Sequence, residues 1–123
     1  MKRAIIAAAA ILAFAASCDS PARPGGRGNL TAVITSPNGD EGAAVLDVNG
    51  TVDAFVGSSD VSVYTTPAPS GTRVVLVRMT PGPLSVTLTV PDISRPPTIS
   101  IVEIADGADH LRASLAGYTV AVR

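Results

Sequence analysis

Between Leu84 and Val90 every second residue is apolar: Leu84, Val86, Leu88 and Val90 alternate with Ser85, Thr87 and Thr89. Successive side chains of an extended chain point to opposite faces, so this period of two predicts a strand with one face on a core and one in water. The same texture recurs along most of the chain. Leu30 to Thr35 places Leu30, Ala32 and Ile34 on one face, and Pro37-Asn38-Gly39-Asp40 then turns the chain. Ala43 to Asn49 is a second strand and Thr51 to Val56 a third. Asn49-Gly50 between them is a dipeptide favoured in tight hairpins, because both residues tolerate positive φ, and it predicts that these two strands pair. Asp60 to Thr66 points Val61 and Val63 inward before the breaker Pro67-Ala68-Pro69-Ser70-Gly71.

Thr72 to Thr80 holds the most apolar run, Val74-Val75-Leu76-Val77, which predicts a central strand covered on both faces. Pro81-Gly82-Pro83 turns the chain into Leu84. After a loop over 91–97, Thr98 to Ala105 is extended, but its alternation slips near Ile101-Val102, predicting a bulge or two covered faces. Leu111 to Ser114 and Tyr118 to Val122 close the chain, and Ala105 to Ala116 is the one candidate for a short helical turn. Seven to nine short strands, with turn signals every 8–12 residues or so, predict an all-β fold: a small antiparallel sandwich over residues 30–123.

The first residues have a different pattern. Met1-Lys2-Arg3 is a short basic start, and Ala4 to Ala16 is an unbroken apolar run of 13 residues. A helix needs about 20 to cross the hydrocarbon core, so this run is too short for a permanent span. A basic end, a short apolar middle and small residues before a cut form the layout of a secretory signal over residues 1–17. Ala15-Ala16-Ser17-Cys18 resembles the lipobox of bacterial lipoproteins, although Ala15 stands where that family most often has Leu. The resemblance implies cleavage ahead of Cys18, diacylglycerol thioether-linked to its sulfur, and a place in the bacterial cell envelope on the extracytoplasmic side of a membrane. Simple cleavage after Ala13-Phe14-Ala15 is the other reading, and it leaves Cys18 as a thiol near the new terminus. From Asp19 to Asn29 proline, glycine and polar residues dominate without apolar periodicity, so residues 18–29 read as the anchored cysteine and a flexible tether.

Charge removes several function classes. Of 123 residues, nine are Lys or Arg and ten Asp or Glu. Loss of residues 1–17 takes Lys2 and Arg3 with it, leaving seven scattered arginines, no lysine and a net charge of −3. Nucleic-acid binding needs clustered positive charge to neutralise phosphates, so it is argued against, as is a polybasic membrane patch. One cysteine excludes an intramolecular disulfide, and one histidine, His110, excludes a metal site built on several imidazoles within one chain.

The remaining chemistry is sparse. Asn38, Asp40 and Glu41 in one turn, with Asp106 and Asp109 in another, offer hard oxygen ligands for Ca²⁺, but neither stretch has EF-hand spacing, and both read first as solvated turns. His110 beside Asp109 reads as a loop residue, with no nucleophile setting such as G-x-S-x-G in the chain. There is no Trp, and outside the signal only Phe55, Tyr64 and Tyr118 are aromatic. Phe55 and Tyr64 on neighbouring strands could form a small patch, but packing is the simpler role, and a carbohydrate platform is disfavoured. Tyr118, entering a late strand after Gly117, has the setting of a tyrosine corner, in which the hydroxyl bonds upstream backbone; plain core packing is the alternative. Arg73, Arg78, Arg95 and Arg112 show no spacing that implies an anion site.

The strand texture resembles small bacterial surface sandwiches of the immunoglobulin-like or cohesin-like kind, and that resemblance implies a binding or scaffolding role. The expectation is a non-enzymatic, lipid-anchored module with no cofactor, attached to a membrane through Cys18 and open to an envelope protein partner. A small envelope enzyme or accessory subunit using His110 with an acidic neighbour, and a Ca²⁺-binding surface module, are the competing expectations.

Overall fold

A computed structural model of the chain describes residues 25–123. The segment expected to be a signal, Cys18 and most of the expected tether lie outside the described residues. Eight strands follow one another: β1 (Gly28–Thr35), β2 (Glu41–Asn49), β3 (Ala54–Gly57), β4 (Val61–Ala68), β5 (Gly71–Gly82), β6 (Leu84–Val90), β7 (Thr98–Ala105) and β8 (Thr119–Val122). They form two four-stranded antiparallel sheets, β3-β6-β1-β8 and β4-β5-β2-β7. No helix occurs among the described residues, and Ala105 to Ala116 is turns and irregular chain.

The alternation in sequence becomes the alternation of faces. Leu84, Val86, Leu88 and Val90 of β6 are buried against Leu46 and Val48 of β2 and Val74 and Leu76 of β5. Ala32, Ile34, Ala44 and Ile104 complete the core. Each fully buried aliphatic side chain of this kind contributes about 1.5–3 kcal/mol relative to exposure. The core is therefore the inner faces of two stacked sheets, as a sandwich requires.

Chain order and pairing order diverge. β4 and β5 are the one pair of consecutive strands that hydrogen-bond to each other; every other connection crosses from one sheet to the opposite one. This corrects the pairing expected from Asn49-Gly50. β2 lies between β5 and β7, whereas β3 pairs with β6, so the dipeptide is a corner between sheets. Gly50 sits at φ 131°, and a Cβ there would stand 3.1 Å from Pro97. The glycine serves an inter-sheet corner packed on a proline.

Other expectations change in detail. Gly28 and Asn29, within the segment read as a tether, already pair with Val90 and Thr89, because ladder hydrogen bonds need no apolar side chain. The breaker at Pro67 lies inside β4, which runs on to Ala68; β4 is an edge strand, where a missing N–H is tolerated. β5 buries Val74 and Leu76, while Val75 and Val77 on its outer face stay half-buried, so the central run is fully covered on one side only. Leu111 to Ser114 makes one bridge, Ala105 with Leu111, and no strand. The slip near Ile101-Val102 is a bulge: Val45 faces Glu103 and Leu46 faces Ile101, with Val102 left over.

All strands end at one of two poles. β1 starts at an entry pole beside the 91–95 loop, where the Ile93 N–H donates to the Gly26 carbonyl. The turns at 36–40, 58–60 and 106–110 gather at the opposite pole. Both edge strands of the second sheet carry interruptions near one end. Pro67 interrupts β4, while on β7 the bulge and the Leu111–Arg112 segment, whose Arg112 N–H donates to the Ile104 carbonyl, cover the far end. Such devices blunt edge-to-edge association.

Candidate functional site

The most organised polar cluster sits at the opposite pole and centres on Glu41. Between Glu41 and Ala43 the β2 ladder shifts register: Ala43 opposes Val77, but Glu41 opposes Gly82. The irregularity at Gly42 turns Glu41 inward, where it is 2 % exposed and is the one buried charged residue among the described residues. A Cβ at Gly42 would stand 2.5 Å from the Asp106 carbonyl oxygen, so only glycine lets the 106–110 loop lie this close to β2.

A carboxylate buried in apolar surroundings is costly unless it is paired and fully hydrogen-bonded. Glu41 is both. The Ser36 hydroxyl and the Tyr118 hydroxyl each donate to Oε2 at 2.5 Å, and the Arg112 guanidinium approaches Oε1 at 3.1 Å from Nε and 3.0 Å from Nη2. Tyr118 in turn accepts from the Asn38 side-chain amide at 2.9 Å. Burial pushes the Glu41 carboxyl up, but the hydrogen bonds from Ser36, Tyr118 and Arg112, with the Arg112 charge, outweigh it and hold the group below its ordinary value. The partners come from the β1–β2 turn and from the segment leading into β8, which the cluster ties together.

Among the described residues no buried side-chain polar atom lacks a partner. The cluster is thus satisfied within itself, with no donor or acceptor left pointing into a cavity. Its chemical capacity is to fasten.

The expected site residues fall around this cluster. Asn38 turns its amide to Tyr118, and Asp40 is exposed. Asp106 accepts backbone N–H bonds from Ala108 at 2.9 Å and His110 at 3.0 Å on Oδ1, and these bonds hold its carboxyl below the ordinary range. Asp109 takes φ 64° at the tip, a conformation that Asp tolerates better than most residues. The fold brings the two acidic turns to one pole, yet no group of three or more His, Cys, Asp or Glu side chains among the described residues is placed to hold a metal ion. His110 is 79 % exposed, with Nδ1 3.8 Å from Asp106 Oδ2. Cys18 lies outside the described residues.

Several readings are corrected here. Glu41, taken as part of a solvated turn, is the best-buried charge. Tyr118 bonds side chains, Glu41 and Asn38, where a tyrosine corner would bond backbone. Phe55 and Tyr64 lie in different sheets: Phe55 packs on the core, while Tyr64 is 62 % exposed on the outer face of the second. Arg73 makes a two-point pair with Asp47 on that face. Arg78, 13 % exposed, lies over Gly82, and its guanidinium donates to the carbonyls of Ser59, Thr80 and Pro83, tying two turns of the pole together. These partners are 5 to 77 residues away in the chain, or bond through backbone, so spacing gave no sign of them. The one available signal for Glu41 was Gly42 at the start of an alternating run, since a glycine at a strand end often marks an irregularity that re-aims its neighbour.

The outer face of the second sheet is more apolar than that of the first. A row across it runs Tyr64, Val75, Val45, Glu103, and the next runs Ser62, Val77, Ala43, Ala105. A shallow cleft of about 90 Å³ lies between Ala43, Val45, Glu103, Ala105 and the exposed Leu111. The first sheet carries Thr31, Thr87, Thr89 and Ser85 on its outer face, interspersed with Val33, Val56 and Ala121. Comparison of the chain with protein-family models, with curated proteins and with solved structures returns no match.

Proposed function

We propose that the protein is a lipid-anchored lipoprotein of the bacterial cell envelope whose sandwich is a non-enzymatic binding or scaffolding module. The observation that carries the proposal is the run into Ala15-Ala16-Ser17-Cys18: a basic start, 13 apolar residues and a lone cysteine placed where an anchor would be attached. Acyl chains contribute about 0.8 kcal/mol per buried CH₂, so more than one chain gives stable attachment. The sandwich supports the reading in a second way. Its buried carboxylate and its best-ordered loop carboxylate are both engaged in holding turns, and the accessible features are a half-apolar sheet face and a shallow cleft, which suit contact with another protein.

Mass spectrometry of the processed chain purified from membranes tests it. A new terminus at Cys18 carrying diacylglycerol supports the proposal, and Cys18→Ser should release the protein from the membrane fraction. An unmodified thiol on processed material would refute it.

A further inference from the structure

The two poles differ in charge as well as in position. Towards the entry pole stand Arg27, Arg73 and Arg95, with Arg123 opposite Thr31 near the middle of β1, against Asp47, Asp53 and Asp92. Three of these arginines are held in pairs with those aspartates, so this end is close to neutral. The opposite half has Arg78 and Arg112, both committed to the contacts described above, against Asp40, Glu41, Asp60, Glu103, Asp106 and Asp109. By this count the opposite half is −4 where the described residues together are −3, so the negative charge is at the end remote from where the chain enters.

The entry point is fixed. Gly26 is bonded to the 91–95 loop, and Gly28 is the first rung of β1. Between Cys18 and Gly26 lie seven residues, 19–25, so the eight steps from one to the other span at most about 29 Å even when fully extended. β1 alone carries the chain about 24 Å from Gly28 to Thr35 at roughly 3.4 Å per residue. A cysteine anchored at a bilayer thus keeps the entry pole within one tether length of the surface. The tether allows tilting, but a tilt that lowers the far pole brings its uncompensated carboxylates within about 8 Å, the screening distance at physiological salt, of anionic headgroups.

We infer, resting on the lipid-anchor reading, that the domain stands end-on at an anionic bilayer. The 91–95 loop and the Gly50 corner face the headgroups, and the Asn38, Asp60 and Asp109 turns, with the Leu111 cleft, are held away from the membrane.

The test uses the mature chain from Cys18, isotopically labelled, with its single thiol coupled to a maleimide-headgroup lipid in phosphatidylcholine–phosphatidylglycerol nanodiscs that also carry a gadolinium-chelate lipid. Amide signal loss should be several-fold greater at Gly50, Ile93 and Ser94 than at Gly39, Asp60 and Asp109. A long Gly-Ser insertion after Ser20 should shrink that ratio. Equal loss at both poles would overturn the inference, as would the greatest loss at Val45 and Val75, which means the domain lies on its apolar sheet face, or a ratio indifferent to the insertion. Chemical coupling replaces the natural anchor, so this result stands apart from the mass spectrometry: a bare Cys18 thiol defeats the lipoprotein reading, and a wrong gradient defeats the posture.

Discussion

The Tyr118 hydroxyl donates to Glu41 Oε2 at 2.5 Å across 77 residues of sequence, joining the start of β2 to the entry of β8. β8 has only four residues and pairs with β1 alone, so it has little ladder of its own to hold it. The Glu41 cluster supplies the missing attachment. Tyr118→Phe removes one donor from a buried carboxylate and should cost about 1–2 kcal/mol in urea unfolding. Arg112→Met leaves the carboxylate without its counter-charge and should cost about 3 kcal/mol or more. Combined with Glu41→Gln, Arg112→Met should cost much less than the two single changes summed. Additive effects would show that the pair is not coupled. In the single variants, amide exchange should quicken first at Val120 and Val122.

Acid should act through the same group. Glu41 has a folded-state value below its ordinary 4.5, and Asp47, Asp92 and Asp106 are lowered in the same direction, Asp47 by its bond from Arg73, Asp92 by bonds from Ser94, and Asp106 by the backbone N–H groups of His110 and Ala108. A carboxyl depressed in the folded state stabilises the fold above its unfolded value, and that stability is lost as pH falls through the folded value. Chemical denaturation should therefore show stability level near neutrality and falling below about pH 4.5. The fall should be shallower in Glu41→Gln; a profile of unchanged slope in that variant would assign the acid sensitivity elsewhere.

Two glycines give a matched comparison. Gly50 takes φ 131° with Pro97 3.1 Å from the position of a Cβ, so Gly50→Ala should cost about 1–3 kcal/mol through backbone strain. Gly26 has nothing within 4 Å of that position and no positive φ, so Gly26→Ala should leave the melting temperature where it is. Equal effects would contradict the inter-sheet corner.

Register offers a sharper contrast. Val102 is the extra residue of the β7 bulge, so deleting it leaves Ile101 facing Leu46, Glu103 facing Val45 and Ile104 facing Ala44. That deletion should still fold, with the inward set intact. Deleting Thr87 from the regular ladder of β6 moves every later residue of the strand to the wrong face, and circular dichroism should then show no folded domain.

At the acidic turns, Asp106→Ala removes the acceptor for two backbone N–H groups and should cost about 1 kcal/mol. His110→Ala should cost nothing measurable, since the ring is exposed and stands 3.8 Å from the Asp106 carboxylate, beyond hydrogen-bond distance. Adding millimolar Ca²⁺ should leave the melting temperature unchanged; a rise abolished by Asp106→Ala or Asp40→Ala would establish an ion site at this pole.

Local pattern was enough to place most strands and their faces. Leu84, Val86, Leu88 and Val90 are all buried as their alternation requires, and the slip at Ile101-Val102 is a bulge, because a period of two ties side-chain direction to chain position. The sequence alone therefore determined an all-β sandwich and which face of most strands is inside. Which strands pair was beyond it. Asn49-Gly50 bends the chain identically in a hairpin or a corner, and the choice was made by β2 packing between β5 and β7. Nor could Glu41 be read as buried, since its partners Arg112 and Tyr118 lie 71 and 77 residues away and act only when two sheets bring them together. Periodicity is carried by neighbours along the chain, whereas pairing and the burial of a charge depend on contacts between remote residues, which exist only once the chain is folded.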